Sequence, residues 1–246
     1  METDTSRWGP LTLVDQITEG SRNEVWRGSL GGRVVSIRRS RRPSASLDWE
    51  LDLIDHLGHL GFRVPSIIPT LDGRRHLDGV VVQHWLDGRP PDSERDWHLV
   101  AITLRKLHAA TTGHAQRPSC LGVSELLRTS VSLDADLASL PDDVAELVLS
   151  IFATVAHLPL SVIHGDPMAS NVRIDHEGAV GLLDFDESRV DVAWHDLSNL
   201  GVQVLEDDEH AHALRLSDAW EAANGWVIEP EYARRRLESL EERREK

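Results

Sequence analysis

The sequence predicts an α+β chain in two parts, a small strand-rich first part and a larger, mainly helical second part. Three observations lead there. Short apolar or alternating runs separated by turn residues fill the first 86 positions. A Gly- and Pro-rich break, Asp87-Gly88-Arg89-Pro90-Pro91, follows them. Beyond the break, apolar residues recur at helical spacing, except for one pair of strand-like runs within 161–185. The expected division is residues 1–86 and 87–246, with a hinge at about 83–90.

The elements can be justified in order. LTLVDQ (11–16) reads as a first strand, EGSRNE (19–24) as a turn and VWRGSL (25–30) as a second strand. Gly31-Gly32 is a two-residue hairpin signal, since both positions tolerate φ > 0. RVVSIRR (33–39) is a third strand. Residues 44–61 read as a helix, with Leu47, Leu51, Ile54 and Leu57 on one face, Ser44 or Ser46 as cap and Gly61 at the end. SIIPTL (66–71), an Asp-Gly turn at 72–73 and GVVVQHWL (79–86) complete the expected sheet. Helices are expected at 96–110, 142–158, 193–205, 209–223 and 230–244.

Composition narrows the partners. At 246 residues and 40% hydrophobic, the chain can form one large domain or two small lobes. The one cysteine excludes an internal disulfide framework and fits a reducing, cytoplasmic setting. No apolar stretch approaches the ~20 residues that span a membrane, and METDTSRWGP is not a signal peptide. The net charge of −15 speaks against nucleic acid and suits a cationic small molecule. The basic run RRSRR (38–42) and the acidic run EDDE (206–209) read as solvated surface.

The stretch 164–186, HGDPMASNVRIDHEGAVGLLDFD, carries the chemistry. Asp166 and Asn171 stand five apart, and Asp184 follows Asn171 by thirteen. NVRID (171–175), the turn HEG (176–178) and AVGLLDF (179–185) form an expected hairpin, which brings Asn171 and Asp184 to one mouth. Both side chains present oxygen, the donor Mg²⁺ prefers. An aspartate, an asparagine and a second aspartate in this order are what phosphoryl transfer by the protein-kinase arrangement uses.

With that motif, the order of elements resembles the bilobal protein-kinase-like fold, and more narrowly the aminoglycoside phosphotransferase and choline kinase-like family. The resemblance runs from about 12 to about 200, on EGSRNEVWRG (19–28), VSIR (35–38), Glu50, VVQHWLDG (81–88), LRKLHA (104–109), HGDPMASN (164–171), LLDFD (182–186) and WHDLSNL (194–200). It implies an ATP- and Mg²⁺-dependent phosphotransferase acting on a hydroxyl of a small molecule. Asp166 would be the catalytic base, and Asn171 and Asp184 would hold the metal. Gly20 and Ser21 would cover the phosphates. Ser36 would leave room for the purine, and Arg38, where kinases carry lysine, would reach phosphate and pair with Glu50. Gln83, His84 and Trp85 would form the adenine edge. His164 would brace the loop, His108 would pack as a structural residue and Asp196 would anchor the catalytic loop. Asp186 would be a structural partner for an arginine such as Arg189, or a further metal-shell carboxylate. A cationic acceptor would contact some of Glu187, Asp191 and Glu206–Glu209, near Trp194, Trp220 and Trp226. A nucleotide-binding pseudokinase and a metal-dependent phosphohydrolase are the alternatives.

Overall fold

The computed structural model describes residues 4–17 and 24–243. Its contacts divide the chain into two compact units: Met1–Pro91 with Met168–Asp186, and Asp92–Pro167 with Glu187–Lys246. The α+β class read from the sequence holds, with antiparallel strands in the first unit and mostly helix in the second. Among the described residues no helix is long and apolar enough to cross a membrane.

The first unit is built on a five-stranded antiparallel sheet. Its strands are β1 (Leu11–Ile17), β2 (Glu24–Leu30), β3 (Arg33–Arg39), β4 (His76–Leu77) and β5 (Val80–His84), in the spatial order β1-β2-β3-β5-β4. Gly31 and Gly32 both adopt positive φ, 57° and 81°, so the β2–β3 hairpin closes as the sequence requires. Val35, Ile37, Val80 and Val82 form the centre of a small core with Trp8. Helix α1 (Ser44–His59) buries Leu47, Leu51, Ile54 and Leu57, the four residues of the expected face. Its start differs from expectation: Pro43 is the N-cap and no side chain caps it, because neither serine stands at that position. Its end follows the sequence, with Gly61 at φ 85° and Phe62 N donating to Leu57 O at 3.0 Å.

The run 66–71 is not a strand. Ile68 N donates to Val82 O and His84 N to Ser66 O, but Pro65 and Pro69 lack the N–H groups a longer ladder needs. The sheet instead gains the short β4, which turns into β5 through Asp78 and Gly79, both at positive φ. The hairpin of β7 (Val172–Ile174) and β8 (Val180–Leu182) packs in this same unit. Arg89 and Ile174 exchange backbone hydrogen bonds of 3.0 and 2.7 Å, which ties the Gly- and Pro-rich break to that hairpin.

The second unit contains α2 (Glu94–Ala110), α3 (Val123–Thr129), α4 (Asp142–Val155), α5 (Trp194–Ser198), α6 (Asp207–Gly225) and α7 (Pro230–Glu242). Phe152, Leu216, Trp220 and Val148 centre its core. The helix expected over 193–205 stops at Ser198, before Asn199 and Gly201, both poor helix formers. β6 (Leu160–Ile163) pairs with a strand the sequence did not announce, β9 (Arg189–Val192). Its pattern RVDV looks polar, yet all four residues are buried because both charges find partners inside.

Candidate active site

In the first unit, one cavity is lined by eight of the residues singled out above: Ser36, Arg38, Glu50, Gln83, His84, Trp85, Asn171 and Asp184. The way each arrives there is local. Ser36 and Arg38 lie two apart on β3, so strand alternation turns both to one face. Ser36 faces Gln83 across the β3–β5 ladder. The Gln83 amide is buried and donates to Pro65 O at 3.2 Å, which fixes the segment before the following loop. Arg27 stacks over the Trp85 ring at 5.5 Å. Glu50 is on the buried face of α1, with no exposure.

The hairpin brings the last two together. Val172 pairs with Leu182, and Leu183 N donates to Asn171 O at 2.8 Å, so Asn171 and Asp184 flank its open end. At the closed end the Asp175 carboxylate accepts from Glu177 N and Ala179 N, which fixes the turn. Asp184 adopts φ 54°, uncommon for a residue with a side chain, and its Oδ1 accepts from Asp186 N at 3.4 Å.

The cavity carries a charged cluster. Arg38 is 4% exposed and donates through Nη2 to Glu50. Its Nη1 lies 3.5 Å from Asp184 Oδ1 and 3.3 Å from Asp186 Oδ1. Burial alone would lower the Arg38 pKa, but Glu50, Asp184 and Asp186 together raise it above the ordinary arginine value. Asp186 pairs with Arg38 and Arg42, and not with Arg189. Arg42 therefore departs from the surface reading of RRSRR, since its side chain is 9% exposed. Sequence gives no sign of this pair, because 144 positions separate its members. Gly20 and Ser21 lie outside the described residues.

In the second unit, Asp166 ends a loop held from below. Gly165 has φ 92°, and a Cβ there would stand 2.5 Å from Glu187 O, so glycine is required. The buried Asp196 carboxylate accepts from His164 N at 2.8 Å, Gly165 N at 2.9 Å and His108 Nε2 at 2.7 Å. Burial would raise the Asp196 pKa, and the bond to His108 with these other donors brings it below the usual value. His164 is fully buried, and its Nδ1 lies 3.4 Å from Asp166 N. His108 and Asp196 thus do what their sequence positions suggested.

Two expected acceptor contacts fail. Asp191 has no exposed surface and is occupied by Arg189 Nε at 2.9 Å, Val192 N and Val123 N. Trp220 is buried, and Arg189 already covers its ring at 3.4 Å. Apolar burial and an internal cation have claimed both residues. Asp207, Asp208 and Glu209 form the first turn of α6, where carboxylates oppose the positive end of the helix dipole.

The profile of the Phosphotransferase enzyme family matches residues 14–237. An uncharacterized protein of Deinococcus radiodurans is 30% identical over 187 residues, 67% of this chain and 54% of its own length, so the chain spans about half of that curated relative. The fold is similar to that of an aminoglycoside phosphotransferase from Alicyclobacillus acidocaldarius, with TM-score 0.57 at 19% identity over 98% of this chain and 91% of the other. A choline kinase from Streptococcus pneumoniae gives TM-score 0.65 at 14% identity, covering 94% and 93%. A microcompartment-associated aminopropanol kinase gives 0.61 at 15% identity, covering 97% and 92%. With nearly its whole length matched, the chain belongs to the phosphotransferase enzyme family.

Proposed function

We propose that this protein is a small-molecule kinase that moves the γ-phosphoryl group of ATP, with Mg²⁺, to a hydroxyl. The observation that carries the reading is the cavity of the first unit, where residues from β3, α1, β5 and the β7–β8 hairpin converge. A cation, a carboxylate partner and two oxygen donors meet on one surface, as phosphate and metal recognition require. The amide oxygen of Asn171 and the carboxylate of Asp184 suit Mg²⁺, a hard ion that completes its shell with water and phosphate oxygens. Bound there, the ion would neutralise charge on the β- and γ-phosphates.

The protein's own groups have separate tasks. Arg38 binds the phosphates, and the Gln83–Trp85 edge binds the base. Asp166 accepts the proton of the acceptor hydroxyl as the new O–P bond forms and the bond to the ADP oxygen breaks. Structures of similar fold are those of choline, aminoglycoside and aminopropanol kinases, and the acid excess of this chain suits an acceptor of that amine-bearing kind. Glu187 and the acidic start of α6 remain the groups to contact it.

Asp184→Ala separates this reading from others. Calorimetry is expected to show loss of Mg²⁺-dependent ATP binding, with metal-free ADP binding partly retained. Equal loss under both conditions would mean a folding defect, and full retention under both would remove Asp184 from the metal.

A further inference from the structure

We propose that Asp186 and Arg42 are positioning residues that hold the Arg38 guanidinium as a fixed fork, so that an arginine can serve where this kind of site otherwise uses a lysine. The inference rests on the kinase reading for what Arg38 binds, and on the geometry alone for how Arg38 is held.

A lysine presents one compact charge, and a single carboxylate can orient it. A guanidinium is planar, and its two terminal nitrogens point in different directions. Holding one leaves the plane free to turn about the other bonds. Here Glu50 takes Nη2, and Nη1 faces the buried Asp186 Oδ1 at 3.3 Å, with Oδ1 of the part-exposed Asp184, the residue left for the ligand, at 3.5 Å. Both ends of the fork are therefore held by carboxylates from different elements, one on α1 and one beyond β8. Asp186 could hardly do this alone. A second buried carboxylate beside Arg38 would over-neutralise it and repel the phosphates it is meant to bind. Arg42 removes that conflict. Its Nε and Nη2 both lie 3.1 Å from Asp186 Oδ2, the oxygen that Arg38 does not use. The two oxygens of Asp186 thus serve two arginines, and Arg42 balances its charge. Arg38, Arg42, Glu50 and Asp186 are all nearly buried, with side-chain exposures of 5%, 9%, 0% and 10%, so water screens these contacts little.

The test uses the full chain and ligands that differ only in phosphate. In Arg42→Ala, Mg²⁺-ADP affinity should fall about tenfold, the scale of one charge-assisted hydrogen bond, while adenosine affinity stays within about twofold. Arg42→Lys should recover part of the loss, since it restores the charge but not the paired contact. If Arg42→Ala does not fold, Asp186→Asn takes away the carboxylate that the two arginines share, with little change of shape, and the same selective fall in Mg²⁺-ADP affinity is expected. Unchanged ADP affinity, or equal losses for ADP and adenosine, would overturn the proposal. Should the wild type bind neither ligand, the kinase reading fails, and the fork is judged by nitrogen-15 NMR of the Arg38 side chain. Slow guanidinium rotation in the wild type and faster rotation in Arg42→Ala would support it. The same rotation rate in both would sink it.

Discussion

The charged clusters of the two units use the same residue types and end in opposite states. In the second unit, Asp196 and Asp191 have no exposed surface, and backbone N–H groups, histidines and an arginine occupy their oxygens. In the first unit, Arg38 is buried with three carboxylates in reach, but Asp184 remains 35% exposed on a cavity. A sealed cluster spends all its hydrogen-bonding capacity on the chain and acts as architecture. A cluster that keeps one face open has capacity left for a ligand. The difference lies in the closure around the residues and not in their identity, so stability and activity should separate between sealed carboxylates and those that keep an exposed face.

The largest expected effect falls on activity alone. Asp166→Asn should lower turnover by ~10²–10⁴, the range for removing a positioned general base. The loop beneath it is held by the backbone N–H groups of His164 and Gly165 donating to Asp196, bonds that this change leaves in place, so the urea midpoint and ADP affinity should match the wild type. Steady-state kinetics beside an unfolding curve measures both. Turnover within a few-fold of wild type would remove Asp166 as the base.

Asp196→Ala should do the reverse. It leaves His108, His164 N and Gly165 N without their acceptor inside the protein. Stranding the partners of a buried charge typically destabilises by ~3–5 kcal/mol, and the urea midpoint should drop accordingly. A loss below ~1 kcal/mol, the range of an exposed ion pair, would place Asp196 with ordinary surface carboxylates and break the contrast.

This contrast also marks what the sequence could tell. Local rules carried the elements well where chemistry is local: Gly31-Gly32 for a turn, Leu47 to Leu57 for a helical face, and the hairpin that joins Asn171 to Asp184. They failed where a residue's fate depends on distant partners. Asp191 and Asp184 are both aspartates of one acidic stretch, and only the fold tells that Arg189 and two backbone amides have consumed the first. RRSRR looked solvated because its partner Asp186 is remote in sequence. RVDV (189–192) went unassigned because two charges in four residues suggest solvent, whereas tertiary contacts satisfy them inside. Patterning reads exposure on average, and buried ion pairs are the exceptions to it.

The smallest effect is a pH dependence in which the sealed carboxylates of the second unit take part. Burial pushes the Asp191 carboxyl up, but Arg189 and His195 outweigh it and bring the pKa down to about 2. Asp196 is lowered as well. In both, the unfolded chain holds its proton more tightly than the folded one. Their contribution is therefore complete above the unfolded value near 4. It declines as pH falls, and for Asp191 it is gone once pH passes below about 2. Asp218 runs the other way. Burial raises it despite Arg236 and Arg243, so its contribution improves as pH falls toward the unfolded value and offsets part of the loss. Arg38 stays charged throughout this range, and its raised pKa adds no acid dependence. Urea unfolding at pH 7 and pH 3 should show the wild type losing stability between them. Asp191→Asn, less stable at pH 7, should lose less on acidification, by an amount of order 1 kcal/mol, because one lowered carboxyl is gone. Equal acid sensitivity in the two proteins would mean that Asp191 titrates like an exposed aspartate, and the sealed half of the comparison would fail at that residue.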